Sequence, residues 1–354
     1  MMSNQKSNHR SDNLSRSTNN ALEQQLDPAL VQQALALIEP AQRIALLAHE
    51  HPDGDCIGSA LGLMHILQET GKTCVPMCAD PAPGSLAFLP GLEMLRQTPG
   101  DERFDLVIAL DAGELTRFGP LYEQQRAFLD AIPILNIDHH ISSAGCGQVN
   151  IIDPSAAATA ELLVLFQQQA HLPLSRDAAL CLLTGVITDT SSFQFTNTTP
   201  RTLEAAAILL RAGAIPETIV QPLYRTRPLP QERFRAMVLL NAQSVANGRL
   251  LWSQATAETL AAAGATTEMD DNFSGMLRDI EGVEMGAFFK SYDDPAITRL
   301  SLRCAAPHNA AEICQSLGQG GGHARAAGAT LPMPIAEATT LVVSRLEQIL
   351  MGAQ

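Results

Sequence analysis

Aromatic residues are scarce in this chain: they make up 4% of 354 residues, with one Trp and three Tyr. That excludes an extended platform on which successive nucleobases stack. Positive charge is also short. With 23 basic residues against 37 acidic ones the net charge is -14, so a broad electropositive face for long duplex nucleic acid is not expected. No uninterrupted apolar run reaches the roughly 18 residues that a membrane span needs. There is no CxxC pair among the seven scattered cysteines, which points to reduced thiols in a cytoplasmic setting and away from a disulfide framework or a thiolate zinc site. The opening segment, residues 1–26, is rich in Asn, Ser and Gln; it reads as a disordered tail, and no signal peptide is expected ahead of the first domain.

What is present is enough apolar surface for a core, 46% hydrophobic against 17% charged residues, on a length that suggests two domains. From Asp27 to Ala214 short apolar runs alternate with longer amphipathic stretches, the pattern of an α/β domain with a parallel sheet and crossover helices. Ile44 to Ala48, Leu106 to Leu110 and Ile134 to Ile137 read as strands covered on both faces. Helices are expected from Ile57 to Glu69, Ala157 to Gln169, Arg176 to about Gly185 and Arg201 to Ala212, with Gly213 as a terminating glycine. Residues 215–235, which include three prolines between Pro222 and Arg235, read as a linker. Beyond it, 236–354 reads as a smaller α/β domain, with strands at Leu250 to Ser253, Met285 to Ser291 and Ile297 to Arg303 and helices at His308 to Leu317 and Ile335 to Leu350.

Four clusters carry the chemistry. His49, Asp53 and Asp55 lie in HEHPDGD, Asp111 closes LVIALDAG, Asp138, His139 and His140 close ILNIDHH, and Asp189 lies in LLTGVITDTSSF, after an apolar segment readable as either helix or strand. Alone, an aspartate before glycine is ordinarily a turn or cap residue. Together, three strand ends would place these groups in one crevice beyond the carboxyl edge of a sheet. Their carboxylates would repel one another by about 4 kcal/mol per pair at 4 Å and an effective dielectric near 20. Bound divalent cations remove that penalty. Oxygen and imidazole donors suit Mn²⁺, with Mg²⁺, Co²⁺ and Zn²⁺ as alternatives, and a shared carboxylate lets two ions sit about 3.5 to 4 Å apart. Further along, Gly320 to Gly322 precede His323 and Arg325; bare backbone amides there, with Arg303, offer a phosphate close approach. Phe193 and Phe195 are expected in the core more than against a base.

These motifs, in this order, resemble the four motifs of the DHH phosphoesterase superfamily, and GGGHARAAG with Arg303 in SLRC resembles the DHH-associated C-terminal domain. The resemblance covers about Asp27 to Leu350 and is strongest to the group of oligoribonucleases and 3'-phosphoadenosine 5'-phosphate phosphatases, the nanoRNases. It implies a Rossmann-like catalytic domain over 27–214 and a substrate-binding domain over 236–354 that closes on short substrates. His49 and Asp53 would hold one Mn²⁺, Asp55, His139 and Asp189 the other, and Asp111 would bridge them. Asp138 would orient a histidine, His140 would face the scissile phosphate, and Arg303, Gly321, Gly322, His323 and Arg325 would bind substrate. The implied activity is hydrolysis of short RNA to 5'-mononucleotides and dephosphorylation of 3'-phosphoadenosine 5'-phosphate. A phosphodiesterase for cyclic di-adenylate or linear dinucleotides is the alternative, and a non-catalytic nucleotide-binding regulator a further one. A homodimer is an open option. Two departures, TDTS in place of TDTG and Cys304 in place of Ser, remove no expected ligand.

Overall fold

The computed structural model describes residues 25–100, 102–124 and 126–352, so residues 1–24 of the expected tail lie outside the described residues. Leu26 is buried, and its backbone exchanges hydrogen bonds with the Gln169 amide. The chain divides into two compact units, Met1–Arg225 and Thr226–Gln354.

The first unit runs α1 (Pro28–Ile38), β1 (Arg43–Leu47), α2 (Gly54–Gln68), β2 (Thr73–Met77), β3 (Leu106–Leu110), two short helices α3 (Pro120–Gln124) and α4 (Arg126–Leu129), β4 (Ile134–Asp138), β5 (Val149–Ile152), α5 (Thr159–Gln169), α6 (Arg176–Asp189), α7 (Pro200–Arg211) and α8 (Pro216–Val220). Its five strands form one parallel sheet in the order β2-β1-β3-β4-β5. Alternate residues of each strand face opposite layers. Ile44, Leu46, Ile108 and Leu110 join the larger core, while Ala45, Leu47, Val107 and Ala109 join the smaller one with Phe104 and Phe118. This two-sided burial is why the strands read as continuous apolar runs. Strand β2 carries Pro76, which an edge position tolerates.

Helices α2 and α6 pack antiparallel at unusually close range. A Cβ added at Gly58 would lie 2.4 Å from the Cys181 carbonyl oxygen, one at Gly62 would lie 2.7 Å from the Leu182 side chain, and one at Gly185 would lie 2.4 Å from Asp55 Oδ1. Glycines one turn apart therefore let the two backbones meet. The pairing brings the N-terminus of α2, with Asp55, against the C-terminus of α6, with Asp189.

The expected linker holds helical structure: α8, a π-helical turn over Gln221–Arg225, and the start of α9 (Leu229–Leu240). The second unit continues β6 (Gln243–Val245), β7 (Leu250–Thr256), α10 (Ala257–Ala263), α11 (Phe273–Arg278), β8 (Met285–Ser291), β9 (Thr298–Cys304), α12 (Ala310–Ser316), β10 (Gln319–His323), β11 (Ala326–Leu331) and α13 (Ile335–Met351). Its mixed sheet has the order β10-β11-β9-β8-β7-β6. Leu300, Leu302 and Ala329 face the core beneath α12 and α13, while Phe288 on the opposite face packs with Phe273 of α11 and Phe234 of α9. Gly320, Gly321 and Gly322 lie within β10.

Candidate metal centre

Strands β1, β3 and β4 are neighbours, and their carboxyl ends deliver His49, Asp111 and the Asp138-His139-His140 run to one edge of the sheet. Asp53 caps α2: its Oδ1 accepts from the backbone N–H of Asp55 at 3.1 Å and of Cys56 at 3.0 Å. The ordinary capping role is thus real for Asp53, and it uses one of the two oxygens. Asp189 arrives differently, as the last residue of α6.

Asp111 occupies the middle of the cluster. Its Oδ2 lies 3.4 Å from His49 Nε2 and its Oδ1 lies 3.4 Å from His139 Nε2. His139 Nε2 is also 3.2 Å from Asp189 Oδ2 and 3.9 Å from Asp55 Oδ2. Both rings are held by their other nitrogen, His49 Nδ1 against the Glu50 carbonyl at 2.7 Å and His139 Nδ1 against the Ala156 carbonyl at 3.4 Å. A carbonyl only accepts, so Nδ1 carries hydrogen in each and Nε2 faces the carboxylates, the arrangement that a metal-binding imidazole needs. Donor atoms of Asp55, His139 and Asp189 all lie within 4.8 Å of one another, as do those of His49, Cys56 and Asp111. His140 stands apart in role: its Nδ1 pairs with Asp138 Oδ1 at 2.7 Å, and 45% of its side chain is exposed.

An outer layer that the sequence did not announce fixes these groups. Fully buried Asp55 accepts from Thr159 N–H at 2.7 Å, Ala160 N–H at 2.9 Å and Ser59 Oγ–H at 3.2 Å. Thr159 also donates its hydroxyl to Asp111 Oδ1 at 2.9 Å, so one residue at the start of α5 orients two carboxylates. That helix start is tied down by Arg201, whose guanidinium donates to Glu161 at 2.6 Å and to Asp153 at 2.8 Å. Asn197 donates to the carbonyls of Ala157 and Asp189, at 3.1 and 3.2 Å.

Charge in the cluster is unbalanced. Burial, then the charges of Asp111 and Asp189, push the Asp55 carboxyl well up, against the donors of α5 that favour its ionised form. Burial also raises Asp189, which sits where the α6 dipole disfavours an anion. Asp111 is pushed up by burial, yet hydrogen bonds with His139 and His49 hold it well below the ordinary carboxylate range. For His139 burial acts against the charged ring, and Asp111, Asp189 and Asp55 overcome it, lifting the imidazole to about 12. His139 thus stands in for a cation, and Asp111 favours the charged form of His49 against its burial. Imidazole nitrogens interleaved with carboxylate oxygens are the donor set of a divalent cation site, and two such ions would relieve the repulsion that the histidines offset in part. Cys56 departs from that chemistry: its Sγ accepts from His49 N–H at 3.1 Å, and burial and Asp111 hold its thiol strongly protonated. Backbone strain concentrates here too, with φ of 59° at Asp111 and of 48°, 60° and 65° at Ser191, Ser192 and Phe193.

Of the expected metal ligands, His49, Asp55, Asp111, His139 and Asp189 fall in these groups, whereas Asp53 falls in none of them and is felt there as a nearby charge. In the second unit, Arg303 pairs in register with Ala326, and Ala326 with His323, so the Arg303 and His323 side chains share one sheet face. Arg325, exposed in the turn between β10 and β11, donates Nη1 to the His308 carbonyl at 2.9 Å. Phe193 packs partly against the core as expected, whereas Phe195 is 58% exposed.

Residues 43–186 match the DHH family, N-terminal domain, and residues 253–352 match the DHHA1 domain. The chain is 34% identical over 311 residues to the bifunctional oligoribonuclease and PAP phosphatase NrnA of Thermus thermophilus, covering 85% of this chain and 87% of that one. It is 25% identical over 334 residues to the cyclic-di-AMP phosphodiesterase PdeA of Listeria monocytogenes, covering 90% of this chain and 49% of that one. Among solved structures, an exopolyphosphatase-related protein from Bacteroides fragilis superposes with a TM-score of 0.82 at 22% identity, over 92% of this chain and 98% of that one, which shows a shared fold. No helix among the described residues is long and apolar enough to cross a membrane.

Proposed function

The chain belongs to the DHH phosphoesterase family, and from that premise we propose that it is a cytoplasmic, Mn²⁺-dependent hydrolase of short oligoribonucleotides and of 3'-phosphoadenosine 5'-phosphate. One observation carries the reading: Asp111 turns its two oxygens toward His49 and His139, each at 3.4 Å, as a carboxylate shared by two ions would. His49 and Asp53 are assigned to one ion and Asp55, His139 and Asp189 to the other. Bound there, the ions would supply Lewis-acid stabilisation of the phosphoryl oxygens and a water acidic enough to attack near neutral pH.

The chain's own groups do the rest. Asp138 fixes the His140 ring through Nδ1, and the Asp138 hydrogen bond is the largest influence raising that imidazole. With Nδ1 engaged by Asp138, which favours the protonated ring, Nε2 is the nitrogen left to donate a proton to the oxygen that leaves phosphorus. Thr159 and the N-terminus of α5 hold Asp55 and Asp111 in place before substrate arrives. For the second unit we assign Arg303, Gly321, Gly322 and His323 to a substrate phosphate, with Arg325 positioning the turn between β10 and β11. Seven free cysteines fit a reducing compartment.

The test is direct. Purified protein is offered Mn²⁺ with 2-mer to 24-mer RNA, 3'-phosphoadenosine 5'-phosphate and cyclic di-adenylate in parallel. Metal-dependent release of mononucleotides from the shortest RNAs and of phosphate from 3'-phosphoadenosine 5'-phosphate is expected. Preferred turnover of cyclic di-adenylate would transfer the assignment to the activity named for the Listeria relative, and metal-dependent binding without hydrolysis would overturn it.

A further inference from the structure

The strand register of the second unit lays out three rungs across one sheet face, because residues directly opposite one another in antiparallel strands point the same way. The first rung is Gly286, Arg303, Ala326 and His323; the second is Phe288, Ser301, Gly328 and Gly321; the third is Lys290, Arg299, Thr330 and Gln319. Rungs recur every second residue, about 6.8 Å along the strand. Helix α11 packs on β8 and covers this face near Gly286, where an added Cβ would lie 2.2 Å from the Ser274 carbonyl oxygen. It also reaches β9 near Arg303, and the face beyond it over the second and third rungs holds a groove.

An open groove of about 410 Å³ follows the second and third rungs, lined by Lys290, Arg299, Ser301, Gly321, Gly328 and Thr330 among others. Its floor is bare. A Cβ at Gly321 would meet nothing within 4 Å, and Gly321 is absent from the glycines with positive φ, so neither packing nor backbone conformation calls for glycine there. A ligand close to the backbone does. Lys290 is paired with Asp270, whereas among the described residues neither Arg299 nor Arg303 forms an ion pair; Arg299 also borders a cavity that holds Asp270, Asp293 and Asp294, and burial and the charge of Arg278 act against the charge of Arg303 while Asp279 supports it.

We infer that Arg299, with the Thr330 hydroxyl and the Gln319 amide, forms a second phosphate subsite two rungs from Arg303. The inference rests on the proposed function, whose substrate phosphate is assigned to the first rung. The backbone positions of Arg299 and Arg303 are about 13.6 Å apart along β9. The first and third phosphates of a 5'-phosphorylated trinucleotide, separated by two riboses, span that distance, whereas the two phosphates of 3'-phosphoadenosine 5'-phosphate flank a single ribose and do not. The subsite therefore serves oligonucleotides and is idle with 3'-phosphoadenosine 5'-phosphate.

Steady-state kinetics of Arg299→Gln and Arg299→Lys with a 5'-phosphorylated trinucleotide and with 3'-phosphoadenosine 5'-phosphate test this. Arg299→Gln should raise KM for the trinucleotide about tenfold more than KM for 3'-phosphoadenosine 5'-phosphate, with little change in kcat. The trinucleotide's log-log salt dependence of KM should flatten by roughly 0.7, and Arg299→Lys should retain most of the wild-type selectivity. Equal effects on the two substrates, or no effect on either while wild type turns over both, overturn the subsite alone. Wild-type protein that hydrolyses neither overturns the parent reading, and the subsite with it.

Discussion

Replacing Thr159 by Val removes one oxygen and keeps the shape of the side chain, so it isolates what the hydroxyl does for Asp111. The hydroxyl donates to Asp111 Oδ1 at 2.9 Å in a fully buried site. A hydrogen bond to a charged acceptor contributes about 1.5 to 3 kcal/mol, and each 1.4 kcal/mol is tenfold in an equilibrium constant. The Val variant should therefore bind Mn²⁺ roughly 10- to 100-fold more weakly, the range expected when an outer partner of a metal ligand is lost. The Thr159 N–H bond to Asp55 is a backbone contact and survives the change. Calorimetric titration of metal-depleted protein reads the affinity, and turnover at subsaturating and saturating Mn²⁺ separates weak binding from damaged chemistry. Thr159→Ser restores the donor and should recover most of the loss. Unchanged metal affinity in the Val variant, or a Ser variant as impaired as Val, would show that the hydroxyl does not position Asp111.

Asp189→Asn tests the cost of assembling the site. An aspartate whose folded pKa is raised opposes folding above its unfolded value, hence at neutral pH; the variant should match or exceed wild type in Tm in the presence of chelator while losing about 10²-fold or more in turnover, so a large drop in metal-free Tm would contradict the charge argument. For His139 the sign is reversed. Its folded pKa, about 12, lies above the ordinary 6.5, so the charged ring supports the metal-free fold fully below about 6.5 and that support fades as pH rises toward 12; a divalent ion needs the neutral ring, so Mn²⁺ binding at pH 7 should release a proton, measured calorimetrically in buffers of different ionisation enthalpy, and heats independent of the buffer would refute it. Gly185→Ala would place a methyl 2.4 Å from Asp55 Oδ1 and 2.7 Å from the Ala160 side chain; forcing α2 and α6 apart should cost about 1 to 3 kcal/mol in denaturant unfolding and weaken Mn²⁺ binding, and a variant of normal stability and affinity would refute the close-packing account.

The carboxyl edge of the sheet was legible because β1, β3 and β4 are apolar on both faces and stop at Asp or His. The segment before Asp189 was not, because LLTGVITD mixes β-branched residues with an apolar run that suits a buried strand or a buried helix equally well. Its identity is settled by Gly58, Gly62 and Gly185, which have meaning only once α2 and α6 face each other. Strand β2 was hidden by Pro76, and β5 by its length of four residues with Asn150 in the middle. The glycine run of β10 has little strand propensity of its own and is held by its pairing with β11. Thr159 and Arg201 escaped notice for another reason. Each acts on residues 40 or more positions away, such as Asp111 and Glu161, and no local pattern marks such a contact.

The net charge of -14 conceals two local imbalances of opposite sign, one in each unit. In the first, Asp55 and Asp189 are buried with only part of their charge answered by histidines. In the second, Arg299 borders a bare groove, and among the described residues neither it nor Arg303 forms an ion pair. Folding alone selects against both, since unbalanced charge costs stability wherever it is partly desolvated. The strained backbone at Asp111 and at Ser191 to Phe193 adds a further cost of order 1 kcal/mol or more at each residue. Such departures are retained where a ligand repays them. Under the proposed function divalent cations would answer the first imbalance and phosphates the second, and an acidic chain with few aromatic residues would then act on a polyanion through positive charge placed where the substrate binds.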